Sequence, residues 1–292
     1  MGLSFLDLLK REKTILLDGG MWRLLQAEGL GDDPPELWNL THPDRVTDVH
    51  RAYVEAGSSV IYTNSLGGNR LRLAQMGLAD RLAEVNWAAV KAARAAAGGA
   101  VFVAGDISST GAMLEPYGDL SRREAVEIYA EQARVLAEAG VGLFVVETML
   151  DLAEACAAVE GIQSVSALPI VCTLSFGPGG RTMMGDTPEK AVRELTALGV
   201  AAVGANCSGG AREMLPVIQA MAGVAGIPLA AKPNAGIPEL IGTDTVFPDS
   251  PAEMAEGVGR LADAGASLVG GCCGSTPDHL RAIRARLAEM KE

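Results

Sequence analysis

The chain has 292 residues, 49% of them hydrophobic and only 4% aromatic, and a formal net charge of -12. That length supports a sizeable core, while so acidic a surface excludes nucleic acid and anionic membranes, which would repel it before contact. The opening stretch MGLSFLDLLKREKT lacks an apolar run long enough for a signal peptide or a span, so a cytoplasmic location is expected; five cysteines, two of them adjacent, suit reduced thiolate chemistry better than a disulfide framework.

In chain order, the N-terminal stretch reads as a short amphipathic helix. Eight apolar runs follow, at 15–18, 58–64, 101–106, 143–147, 170–174, 202–206, 229–232 and 267–271, each continuous enough for a strand buried on both faces. A long first connection runs from Gly19 to Pro43. Helical patterns fill the intervals. The stretch 122–139 places Val126, Tyr129, Ala133, Leu136 and Ala137 on one stripe, and 277–291 is opened by Ser275-Thr276-Pro277. Thr41-His42-Pro43, Thr187-Pro188 and Ser250-Pro251 are further helix starts, and Ala56-Gly57, Ala139-Gly140 and Ala264-Gly265 are stops. Eight strand–helix units predict an α/β fold, a single (β/α)8 TIM barrel domain over residues 1–292. A doubly wound open sheet is the alternative, although no G-x-G-x-x-G follows the first strand and no P-loop is present.

In such a barrel reactive groups project from the C-terminal strand ends, here Asp18, Asn64, Asp106, Glu147, Asn206-Cys207, Pro233-Asn234 and Gly271-Cys272-Cys273. The glycines of Gly270-Gly271-Cys272-Cys273-Gly274 let the backbone turn so that both thiols reach one ion, and Cys207 supplies a third. Three thiolates with one open position describe a catalytic zinc site, where an incoming thiol is held as thiolate near neutral pH. A vicinal redox disulfide, or two small buried residues, are the competing readings of the pair. Cys156 and Cys172 read as buried hydrophobes. Asp18, followed by Gly19-Gly20, and Glu147 could hold a substrate ammonium or simply cap turns, and Asn64 and Asn234 alone could be turn residues. Trp22, Trp38, Tyr62 and Tyr117 fall near the open face and could cage a sulfonium or quaternary ammonium donor. His42, His50 and His279 suit surface or capping roles.

These residues together resemble the homocysteine S-methyltransferase family over essentially the whole chain. The resemblance is carried by LLDGGM at 16–21, YTNSLGGNRLRL at 62–73, VVET at 145–148, GANC at 204–207, PNAG at 233–236 and GGCCGSTPDHL at 270–280. It implies a barrel in which Cys207, Cys272 and Cys273 bind Zn2+ and homocysteine joins as fourth ligand before methylation to methionine. It also implies that Asp18, Gly19 and Glu147 contact the amino-acid end, with Asn206 and Asn234 lining the pocket; Asn64 is a further substrate-binding candidate from its strand-end position. PPELWNLTHPDRV at 34–46, GRTMMG at 180–185 and GIPE at 236–239 look most like bacterial members assigned as betaine–homocysteine methyltransferases, so a betaine-type onium donor is expected. The homocysteine domain of cobalamin-dependent methionine synthase is similar too, so methylcobalamin or a separate corrinoid protein is the alternative donor. A non-catalytic zinc-binding or thiol-redox barrel is a third reading. Many members read DGAMGT in the first motif, whereas Met21-Trp22-Arg23 stands here, a change on the donor side. A monomer or simple homo-oligomer is the default assembly.

Overall fold

The computed structural model describes residues 3–31, 33–99, 101–242 and 244–290. Its strands are β1 (Ile15–Leu16), β2 (Val60–Tyr62), β3 (Phe102–Ile107), β4 (Leu143–Met149), β5 (Ile170–Leu174), β6 (Ala202–Asn206), β7 (Leu229–Lys232), β8 (Glu239–Ile241), β9 (Asp244–Val246) and β10 (Ala266–Val269). Eight of them form one parallel sheet in the order β1-β10-β7-β6-β5-β4-β3-β2. The Ser59 amide donates to the Leu16 carbonyl at 2.7 Å and joins the two ends of that order. The result is the expected (β/α)8 barrel and not the open doubly wound sheet.

Period-2 alternation along each strand separates two cores. Val60, Ala104, Leu143, Val145, Val171, Ala202, Ala230 and Leu268 turn inward and pack on one another. Their neighbours Ile61, Val103, Phe144, Val146, Cys172, Val203, Ala231 and Val269 turn outward against the helices. The helix Phe5–Arg11, started by a Ser4–Asp7 capping box, closes the N-terminal end: Phe5 is buried and meets the Phe102 ring edge-on at 5.9 Å. The opposite end is left for loops.

Several boundaries differ from expectation. β1 ends at Leu16, so Asp18 lies two residues beyond it, and β4 runs past Glu147 to Met149. The helix Pro277–Glu289 starts as expected, and Lys291 lies outside the described residues. Ser121 caps the helix Arg122–Ala139 and Thr187 the helix Pro188–Ala197. Gly57, Gly140 and Gly265 stop theirs with positive φ. The β8–β9 hairpin was not foreseen, because β8 is exposed on both faces and therefore carries no burial alternation. Among the described residues, no helix is long and apolar enough to cross a membrane.

His279 does cap its helix, accepting from the Thr276 amide at 3.2 Å. His50 corrects the surface expectation: it lies wholly buried in the helix Pro43–Ala56, and neither ring nitrogen has a hydrogen-bond partner. Burial pushes its pKa down to about 3. The folded chain therefore keeps His50 neutral while the unfolded chain takes up a proton below about 6.5, so stability present above that pH falls as pH drops toward 3. The slope is about 1.4 kcal/mol per pH unit, or about 2 kcal/mol by pH 5. Urea denaturation should find the stability loss between pH 7.5 and pH 5 smaller by that amount in His50→Leu than in the parent. Parallel losses would refute it.

Candidate metal and substrate site

The cysteines meet at the C-terminal end of the barrel. Cys207 directly follows β6, with its amide on the Lys232 carbonyl at 3.2 Å and φ at 54°, a left-handed conformation that disfavours a non-glycine residue. After β10 the chain is laced to the segment following β7. The Cys272 amide donates to Pro233 O at 2.8 Å, the Cys273 amide to Asn234 Oδ1 at 3.1 Å, and Ala235 N–H to Cys273 O at 2.9 Å. Glycine is needed where this turn meets its neighbours. A Cβ on Gly20 would stand 2.7 Å from the Cys272 carbonyl, and Gly274, at φ 78°, is pressed against the Phe247 ring.

The three sulfurs consequently lie within 4.8 Å of one another, Cys207 and Cys273 being 3.5 Å apart. Such crowding opposes triple ionisation. Hydrogen bonds from Cys207 and Cys272 hold the Cys273 thiol well below the usual range, while Cys272 and Cys273 drive Cys207 far above it. A cation among the sulfurs would reverse that opposition, so the donor set fits a metal ion, and a soft or borderline one by ligand type. Cys156 and Cys172 are buried elsewhere, with their thiols raised by burial, as expected of packing residues.

Beneath the sulfurs the inward positions change from apolar to polar, and the layer they form is almost sealed from solvent. Lys232, last residue of β7, places Nζ 3.0 Å from Asp18 Oδ1, 3.6 Å from Glu147 Oε2 and 3.5 Å from the centre of the Tyr62 ring. The second Asp18 oxygen accepts the Tyr62 amide at 2.7 Å. Asn206 spans the gap to the cysteine sulfurs. Its Nδ2 donates to Glu147 Oε2 at 3.3 Å and Thr148 Oγ1 at 2.7 Å and lies 3.9 Å from Cys272 Sγ; its Oδ1 accepts from Thr148 N and Thr173 Oγ1. That clamp holds Thr148 at φ 60°, a rare conformation for a β-branched residue. Burial pushes the Glu147 carboxyl up to about 7, with Lys232 pulling the other way.

Asp18, Glu147 and Asn206 are thus gathered into one network, and Asn234 positions Cys273. Gly19 fits between Ser275 and Tyr53, where a Cβ would come within 2.8 Å of both. Asn64 turns elsewhere: its amide donates to Pro35 O at 2.7 Å and Asn39 Oδ1 at 2.9 Å, bracing the long first connection. The four aromatics stand in different settings. Trp38 is 3% exposed and stacks on His42 at 4.4 Å, the Tyr62 face is covered by Lys232, and Trp22 and Tyr117 stand 53% and 72% exposed. Beside Cys207 lies a cavity of about 980 Å³ lined by Phe176, Arg181, Glu189, Ser208, Asn234 and Ile237 among others. Sequence reasoning placed Lys232 at a strand end but gave it no role. A lysine closing the small apolar run LAAK was the available signal, since such a side chain needs a partner once buried.

A (β/α)8 barrel that collects three thiols and a buried acid–lysine network at its strand ends defines a thiolate-site barrel protein with a metal-binding donor set. The sequence profile of the homocysteine S-methyltransferase family matches residues 15–287. The chain is 31% identical over 96% of its length to methionine synthase of Mycobacterium leprae, and 32% identical over 99% to that of Mycobacterium tuberculosis. It spans about a quarter of the length of those curated relatives (25% and 26%). Its fold is similar to that of the homocysteine methyltransferase MmuM from Escherichia coli in metallated form, with a TM-score of 0.80, 24% identity and coverage of 96% of this chain and 98% of that one. The chain belongs to the homocysteine S-methyltransferase family.

Proposed function

We propose that the chain methylates homocysteine to methionine, with zinc held by Cys207, Cys272 and Cys273. The observation that carries this reading is the convergence of three sulfurs from two separated loops directly above a buried network suited to an amino-acid head group. Zinc, when bound, supplies the positive charge that keeps an incoming thiol as thiolate near neutral pH. The chain's own residues do the remainder. Glu147 faces the ammonium of the acceptor, Asn206 fixes Glu147 relative to Cys272, and Asn234 fixes Cys273, so the acceptor sulfur is aligned for in-line attack on the donor's methyl carbon. The new S–C bond forms as the bond from that carbon to the donor breaks, and the leaving group departs on the far side with its electron pair. Held geometry of this kind is worth roughly 7–11 kcal/mol. No general base is required.

For the donor, the arrangement of side chains favours a methyl group delivered on a corrinoid over a small onium compound. An onium cage needs ring faces turned to one point, whereas Trp38 is in the core and the Tyr62 face is taken by Lys232. The large cavity beside Cys207 suits a bulky donor better than betaine. Zinc-loaded protein with homocysteine should form methionine on adding methylcobalamin or a methylated corrinoid protein, and none with betaine, S-methylmethionine or S-adenosylmethionine. Methionine from betaine alone would select the onium donor instead, and none from any donor would overturn the enzyme reading.

Glu147 sets a pH dependence. Its carboxyl becomes an anion as pH rises through about 7, so KM for homocysteine should fall across that range. Glu147→Gln should flatten that limb and lower kcat/KM roughly 10- to 100-fold, the value of a charge-assisted hydrogen bond. An unchanged limb in the variant would assign the dependence to another group.

A further inference from the structure

Asp106 is the inward residue of β3 at the level of this network. Its backbone is committed, with N–H on Thr63 Oγ1 at 3.0 Å and C=O accepting Ser65 Oγ at 2.7 Å. The side chain is not: the residue is 5% exposed, and Oδ1 is buried with no hydrogen-bond partner. A buried oxygen left without a donor carries a cost that packing does not return, and here it lies beside other acids. β3 and β4 pair with Asp106 opposite Val145, so alternation turns Asp106 and Glu147 into the same lumen from adjacent strands. Burial and the nearby Glu147 hold the Asp106 carboxyl well above the usual range, and Lys232 only partly offsets them.

Once the three acids ionise together, one lysine does not balance them. Asp18, Glu147 and Asp106 share one lysine, and both Asp18 oxygens are already used, one by Lys232 and one by the Tyr62 amide. Glu147 has Oε2 on Asn206 and Lys232, and among the described residues nothing donates to Oε1. What is missing is a compact cation with several donors and no acceptor, the description of a primary ammonium group.

We propose that Asp106 binds the α-ammonium of the acceptor thiol together with Glu147, and so selects amino-acid thiols over thiols that lack the amine; Asp18 instead serves to hold Lys232. This rests on homocysteine being the acceptor. The test is calorimetric titration of the metal-loaded protein with L-homocysteine and with its desamino analogue, γ-mercaptobutyrate, for the parent and for Asp106→Asn. The variant should keep its metal and melt no lower than the parent, since a buried unpaired acid has been removed. Homocysteine affinity should fall roughly 10- to 100-fold while the analogue changes less than about 3-fold, the difference being the charge-assisted contact to the amine. Equal losses for both thiols, or no loss for homocysteine, would overturn the assignment of Asp106 and leave the proposed reaction standing. A parent protein that binds neither thiol would overturn both.

Discussion

Cys207→Gly should empty the site of metal and abolish methyl transfer while leaving the fold at least as stable as the metal-free parent. The first part follows from the geometry: removing one of three sulfurs that lie within 4.8 Å leaves only the vicinal pair, which sits on a single loop. On the proposed reaction, losing the metal's charge would forfeit several kcal/mol of transition-state stabilisation, roughly 10³-fold or more in rate. The second part follows from the backbone. Cys207 is held at φ 54°, a conformation that costs a non-glycine residue about 1–2 kcal/mol and glycine nearly nothing. Stability would thus be gained where function is lost, the pattern of strain kept at a site because the site needs it. Elemental analysis should find about one zinc per parent chain and almost none in the variant, and thermal melting of the two apo forms should place the variant level or higher. Metal retained at parental stoichiometry with normal activity would remove Cys207 from the site.

Lys232→Met should destabilise the chain strongly, even though it replaces a buried charge with an apolar side chain of similar length. Lys232 is the cation shared by Asp18 and Glu147, and each of the three side chains is nearly sealed from water. Breaking a buried pair from one side leaves an uncompensated carboxylate and costs about 3–5 kcal/mol. Adding Asp18→Asn should recover a large part of that loss, because the orphaned charge is then removed as well. Denaturant unfolding of the two single variants and the double variant yields the coupling directly. Additive losses would mean that the 3.0 Å contact stabilises nothing. Homocysteine affinity should fall in Lys232→Met too, since Glu147 loses one of its two neighbours on Oε2.

Much of this molecule is legible in its sequence. The eight apolar runs became the eight barrel strands because a parallel strand buried on both faces must be apolar along its length, and the stop glycines after Ala56 and Ala139 took the left-handed conformation that only glycine adopts cheaply. Cys207, Cys272 and Cys273 were found because thiols at strand ends, two of them within a run of glycines, have few structural uses. The aromatics were a different matter. Trp38 and Tyr62 differ little from Trp22 in sequence setting, yet one is packed on His42, one is covered by Lys232 and one stands in solvent.

The sequence by itself determined the strand–helix alternation, the end of the barrel at which the cysteines gather, and the three sulfurs, since all of these depend on local period, turn residues and side-chain type. Only the tertiary structure decided which charges neutralise one another. Lys232 meets Asp18 across 214 positions of chain, and no local pattern records a partner that far away. Asp106 and His50 could be recognised as unpaired only once folding had removed water from around them, because a polar group's need for a partner is set by its burial and not by its neighbours along the chain.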